Sequence, residues 1–275
     1  MVRFFIPGLL LIASATSASA HGDLHWQIEE ITKRLAVEPK NAHLFLRRAE
    51  LHRLHQDWTA AFADYDRALA RDAHLEQIEF FRSRAEFESG DLSKARQRLD
   101  RFLARRPDHI ESRITRARVL CRLKEYEAAA QDFDQAIQSS SSPLPEFYFE
   151  RARALAAIGD EPNMRRAVSG LDEGIRRLGN LVALQTLAID LECALQSHDA
   201  ALARIDQLLE QADRKESWLV QRAEVLLKAG RTADAAAALR SAQASISELP
   251  ERHQKTEAVL QLKQRIQARL VEAGE

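Results

Sequence analysis

Small and apolar side chains recur along the chain at fixed helical offsets. Ala61, Ala95, Ala129, Ala167, Ala201 and Ala235 each open such a series. Four residues later come Tyr65, Leu99, Phe133, Leu171, Ile205 and Leu239, and three beyond these Ala68, Phe102, Ala136, Gly174, Leu208 and Ala242. Offsets of four and seven fall on one face of a helix, so the pattern predicts six amphipathic helices. A further helical segment precedes each one. The two are separated by polar turns at Gln56-Asp57-Trp58, Gly90-Asp91-Leu92, Lys124-Glu125-Tyr126, Gly159-Asp160, Ser197-His198-Asp199 and Gly230-Arg231-Thr232. Pro39 and Pro107 close helices at the same phase of the pattern. The reading is thirteen or fourteen helices and no sheet.

The alanine series is spaced by 34, 34, 38, 34 and 34 residues. A 34-residue helix–turn–helix period with this alanine and aromatic phasing resembles the tetratricopeptide repeat family. The stretch from Ala42 to Ala73 matches best, through Phe45, Ala49, Asp57-Trp58, Ala61, Tyr65 and Ala68. The stretch from Ile110 to Ile137 follows, through Ala117, Leu120, Tyr126, Ala129, Phe133 and Ala136. The resemblance implies an all-α, right-handed α-solenoid of about six helix pairs over 42–246. The repeats are expected at about 42–75, 76–109, 110–144, 145–181, 182–215 and 216–249. The fourth carries three or four extra residues around Glu161-Pro162-Asn163, and the fifth has Ile189 where the others have a small residue. No repeat buries its apolar face alone, so the ends need caps. Residues 21–41, with a helix over Leu24–Val37, and residues 250–275, with a helix over Thr256–Val271, are the expected caps.

The first twenty residues read differently. Met1-Val2-Arg3 gives a basic start, Phe4 to Ala13 an apolar stretch, and Ala18-Ser19-Ala20 an A-x-A site, the layout of a cleaved secretory signal over 1–20. Ten apolar residues are too few to span a bilayer. The expectation is an exported chain, most simply in a Gram-negative periplasm, with outright secretion the other possibility, and no membrane insertion after cleavage. Cys121 and Cys193 occupy equivalent points two repeats apart, out of reach of a disulfide, which needs Cα atoms within about 7 Å.

Charge narrows the function. Lys plus Arg total 40 and Asp plus Glu 41, with no polybasic or polyacidic block, so bulk electrostatics points to neither nucleic acid nor an anionic membrane. There is no H-E-x-x-H, P-loop, G-x-S-x-G or paired C-x-x-C pattern, so the reading is a non-enzyme that calls for no cofactor. His52 and His55 read as histidines packed in or beside a helix pair. Asp64, Asp66, Asp132 and Asp134 read as a solvated outer face. A metal-handling protein is the alternative, because a mature chain starting at His21, with His25 nearby, offers nitrogen ligands for copper.

In the family, the first helix of each pair lines a concave groove that takes a peptide or partner helix. Counted from the small residue of each first helix, the groove residues are Leu46, Phe80, Ile114 and Phe149, with Thr186 and Val220 completing the series. One position after the small residue stand Glu50, Arg84, Arg118, Arg153, Asp190 and Glu224, an arginine ladder with acids at both ends. The family's acidic-tail clamp uses lysine and asparagine, so that particular ligand is not carried over. The expected partner is a protein or peptide held at Leu46, Phe80, Arg84, Ile114, Arg118, Phe149 and Arg153.

Overall fold

The structure, a computed structural model, describes residues 17–274, so most of the expected signal segment lies outside the described residues. Among the described residues there are fifteen helices and no strand. After α1 (Ser17–Val37) come α2 (Ala42–Leu54), α3 (Trp58–Arg71), α4 (Gln77–Glu88), α5 (Leu92–Arg105) and α6 (Ile110–Arg122). These are followed by α7 (Tyr126–Ser139), α8 (Pro145–Ile158), α9 (Glu161–Leu178), α10 (Val182–Ala194) and α11 (His198–Gln211). The chain ends with α12 (Glu216–Lys228), α13 (Thr232–Glu248), α14 (Glu251–Gln254) and α15 (Glu257–Glu272). The count exceeds fourteen because a single turn, α14, follows Pro250 before the terminal cap. The N-terminal helix also starts earlier than expected, at Ser17 rather than Leu24.

The chain forms two compact units, one ending at Leu123 and the other beginning at Lys124. In the first, each helix from α1 to α6 packs on the one before it, and the first helices α2, α4 and α6 also touch in sequence. The second unit repeats this arrangement from α7 to α13, with α8 against α10, and α15 lies against both α12 and α13. The alanine series explains the close approach. Ala61, Ala95, Ala129, Ala167, Ala201 and Ala235 are all fully buried, as are Tyr65, Leu99, Leu171, Ile205 and Leu239 four residues on. Each large apolar side chain so enclosed contributes about 1.5–3 kcal/mol, and the contribution is shared between neighbouring repeats.

All six repeats turn at one equivalent position in left-handed backbone: Gln56 (φ 61°), Gly90 (94°), Lys124 (64°), Gly159 (88°), Gln196 (57°) and Gly230 (73°). Glycine adopts that conformation freely, whereas the three non-glycine residues are held there by the helices on either side. The residue after the turn caps the next helix: Asp57 accepts from the Ala60 N–H at 3.1 Å, Asp91 from Lys94 at 3.2 Å and Asp160 from Asn163 at 2.8 Å. The extra residues of the fourth repeat go into helix rather than loop. Its second helix, α9, has 18 residues where α3, α5, α7 and α11 have 14, and Pro162 sits in its first turn. In the fifth repeat Ile189 is buried with Ala201, Leu202 and Ile205, while Ala188 is buried with Ala167 and Leu171, so both faces of α10 stay packed.

Candidate partner-binding face

Leu46, Phe80 and Ile114 are buried, as is Val220, and this corrects the expectation that they line an open groove. Phe80, on α4, is enclosed by Ala95, Leu99 and Phe102 of its own second helix and by Val119 of the next first helix. The Phe80 ring stands 6.3 Å from Phe102 and 5.0 Å from the His109 ring. Phe149 alone among the four named apolar residues is half-buried, packed at the edge of the core around Tyr148.

The arginines lie further out. Arg84 is half-buried with its guanidinium 5.7 Å from the Phe80 ring centre, and Arg153 is exposed, 5.9 Å from Phe149. Arg122, which the offset rule did not pick, is exposed and stands 5.5 Å from Phe87. Among the described residues Arg84, Arg122 and Arg153 are in ion pairs with no carboxylate; each stands over an aromatic face, worth roughly 0.5–1 kcal/mol where water reaches, and Arg122 also donates to the Phe87 carbonyl at 3.4 Å. Arg118 is half-buried and already engaged by neighbouring groups. In the first unit, then, Arg84 and Arg122 project from adjacent, touching first helices; Arg153 belongs to the second unit.

Two of the three acids at the ends of the ladder are engaged internally, while Asp190 is exposed. Glu50 accepts from the buried Tyr65 hydroxyl and from Arg53 Nε at 3.1 Å, and Arg53 reaches across to Glu88 at 2.7 Å. Burial of the Tyr65 hydroxyl, together with the Glu50 charge, holds its pKa far above the ordinary phenol value. At the other end Glu224 is held by Arg265 at 2.7 and 2.5 Å and by Arg269 at 3.2 Å. Burial alone would raise the Glu224 pKa, but these hydrogen bonds prevail and lower it.

Sequence reasoning missed a second arginine series. The residue just before the small one is Arg48, Arg82, Arg116, Arg151 and Arg222 in five of the six repeats. Arg82 reaches Asp66, Arg116 reaches Asp100 at 2.9 Å, Arg151 reaches Asp134 at 2.5 Å and Arg222 reaches Asp206 at 2.8 Å. Each pair ties a first helix to the second helix of the preceding repeat. Arg48 turns instead to Asp64 of its own pair, at 2.6 and 2.8 Å, and also donates to Thr32 of α1. Asp64 and Asp132 are therefore not solvated, as expected from sequence, but buried. A buried carboxylate must be paired, and Asp64 is met by Arg48 and Arg67. The signal was present in the sequence, an arginine and an aspartate each recurring at the repeat period about 16 residues apart.

The remaining candidates are quieter. His25 is exposed beside Glu29 at 3.2 Å, and the His21 side chain lies outside the described part. Among the described residues no three His, Cys, Asp or Glu side chains converge as metal ligands. His52 sits 3.9 Å from both Asp57 and Asp64, and its partial burial lowers its pKa despite those charges. Cys121 and Cys193 are half-buried and not joined in a disulfide; burial pushes the Cys193 pKa up, away from thiolate reactivity. No described helix is long and apolar enough to cross a membrane.

Comparison with known proteins agrees with this architecture. A tetratricopeptide repeat family model matches residues 82–143 and 187–250. Among curated proteins, none matches the chain. A solved tetratricopeptide repeat protein from Parabacteroides merdae is similar at 19% identity over 94% of each chain, with a TM-score of 0.54. The C-terminal part of a TPR repeat-containing protein from Cytophaga hutchinsonii is similar at 14% identity over 89% of this chain and 97% of that one, with a TM-score of 0.66. The Naa15/Naa10 complex bound to HypK is similar at 16% identity over 88% of this chain but 36% of that one, with a TM-score of 0.54. Together with the six-fold repeat and its left-handed turns, these matches show a chain built of tetratricopeptide repeats.

Proposed function

We propose that this chain is a non-catalytic protein-interaction scaffold whose first-helix face holds an acidic segment of a partner protein. One observation carries the reading: in the first unit Arg84 and Arg122 stand over aromatic rings and pair with no carboxylate, while Glu50 is neutralised from within. An incoming carboxylate finds a planar guanidinium to bind bidentately and an aromatic face beside it. Such charge-assisted contacts contribute about 1.5–3 kcal/mol each when partly desolvated. The architecture supports a protein partner, since one similar structure is itself a complex, Naa15/Naa10 bound to HypK. Buried Leu46, Phe80 and Ile114 serve in this reading as the bed that fixes the arginines, and the exposed ladder is shorter than the sequence suggested.

The test is binding of the purified chain to arrayed peptides that differ only in the number and spacing of acidic residues. Binding that rises with acidic content and falls at least tenfold in Arg84→Glu, with unchanged helicity, supports the reading on that energy scale. Binding indifferent to peptide charge contradicts it. The reading includes an exported location, resting on the basic–apolar–small order of the first twenty residues. Mass measurement of the chain recovered from the periplasm checks this: a start at His21 agrees, and an intact Met1 in the cytoplasm does not.

A further inference from the structure

The inter-repeat arginine series is interrupted once. At its place in the fifth repeat stands Ala188, although the aspartate it would meet, Asp172 on α9, is present. The second repeat shows what the complete arrangement looks like, because it carries the same buried pair, Glu86 with Arg98, as the fifth carries in Glu192 with Arg204. There, Arg98 donates to both oxygens of Glu86 at 2.8–3.2 Å and Arg82 reaches Asp66, so both Glu86 oxygens are met, although Arg82 Nε, 3.4 Å from Glu86, and Glu79 Oε2 lack hydrogen-bond partners. In the fifth repeat Arg204 is stretched over three acceptors, Glu192 Oε1 at 2.8 Å, Asp172 at 2.7 Å and Gln185 Oε1 at 3.1 Å. Glu192 Oε2 is left buried with no hydrogen-bond partner among the described residues, on a side chain only 6% exposed. The group is one guanidinium short.

An open cleft lies beside this group. Asp172, Gln185, Glu192 and Arg204 line it, about 360 Å³ between α9, α10 and α11, together with the small side chains of Ala200 and Ala203. We propose that this cleft binds a guanidinium group supplied from outside the chain, the arginine side chain of a partner protein. A guanidinium offers several in-plane donors, enough to meet the orphaned Glu192 oxygen and Asp172 together, and the alanines accommodate its aliphatic stem. Burial raises the Glu192 pKa in spite of Arg204, in keeping with a carboxylate short of donors. Two like charges line the cleft, Arg204, already held by Glu192 and Asp172, and the exposed Arg176, which weakens entry. This site lies in the second unit and is independent of the acidic-segment reading.

The experiment titrates the full chain with the acetyl-Ala-Arg-Ala-amide peptide, its lysine and citrulline counterparts, and free L-arginine, read by calorimetry and by the Gln185 side-chain amide signal. Saturable binding of the arginine peptide, roughly tenfold tighter than the neutral citrulline peptide and tighter than the lysine one, is expected from charge and fork geometry. Ala188→Arg, which places a guanidinium at the series position in cis, should abolish that binding. Should that variant not fold, Asp172→Asn is to weaken binding severalfold, and Arg176→Ala is to strengthen it. Equal binding of all three peptides, no saturation, or undiminished binding in Asp172→Asn would overturn the proposal and leave the orphaned oxygen to an ordered water. Tighter binding of free L-arginine than of the peptide would overturn the protein source.

Discussion

Replacing Asp64 by alanine tests the buried ion pairs that hold successive helices together. The carboxylate is 1% exposed and accepts from Arg48 at 2.6 and 2.8 Å and from Arg67 at 2.7 Å, and Arg48 is itself only 14% exposed. Removing the acid leaves the Arg48 guanidinium enclosed, with Thr32 at 2.9 Å as its remaining partner. Breaking a buried pair from one side costs about 3–5 kcal/mol, and the residual water access of Arg48 places this case near about 3. With a urea m-value near about 2 kcal/mol/M, the midpoint of the first unit should fall by about 1.5 M. Trp26 and Trp58 lie in that unit and Trp218 in the other, so fluorescence in a Trp218→Phe background reports it alone. Replacing both partners, Arg48→Met with Asp64→Leu, should recover most of the loss, because matched apolar groups substitute for a buried pair at little cost. A loss below about 0.5 kcal/mol for Asp64→Ala, the size of an ordinary surface substitution, would refute the reasoning.

Gln196→Gly should stabilise the second unit by roughly 0.5–1 kcal/mol in thermal melts, since Gln196 holds a left-handed φ of 57° that glycine adopts without strain. Gly174→Ala should destabilise despite a helix-propensity gain of up to about 1 kcal/mol, because a Cβ there would lie 2.8 Å from the buried Tyr148 ring and overpacking costs about 1–3 kcal/mol. Burial lowers the folded-state His52 pKa below its unfolded value of 6.5, so the folded state binds its proton less readily. Stability should be complete above pH 6.5 and decline as pH falls below it; His52→Gln should flatten that slope in urea titrations at graded pH. The Glu224 pKa is lowered on balance by Arg265 and Arg269, so docking of α15 should hold above its unfolded value of 4.5 and weaken as pH falls through the folded one. Hydrogen exchange of α15 amides reads that directly.

The repeat was legible because the 34-residue period records a packing constraint: Ala61 and its five equivalents sit where helices approach too closely for a larger side chain. The terminal caps were legible for the same reason, and Thr256 does precede α15. What escaped was the difference between two adjacent faces of the first helix. Leu46 and Phe80 share the phase of a groove in a single-helix view, but the next repeat closes over them. Polar residues were read as solvated by type, which failed at Asp64 and Asp132, where the deciding fact is an arginine on a different helix. Arg118 shows the same limit from the other side, since its engagement depends on neighbours no one-dimensional offset identifies.

The central claim is that a partner lies on the first-helix face, and site-specific photocrosslinking in living cells tests it most directly. A photoreactive residue in place of Arg84 or of Arg122 should capture one and the same partner protein. The same probe at Arg105 or Arg165, exposed on the second helices α5 and α9, should capture little. Capture that favours Arg105 and Arg165, or that gives no discrete product at Arg84 and Arg122, would contradict the account.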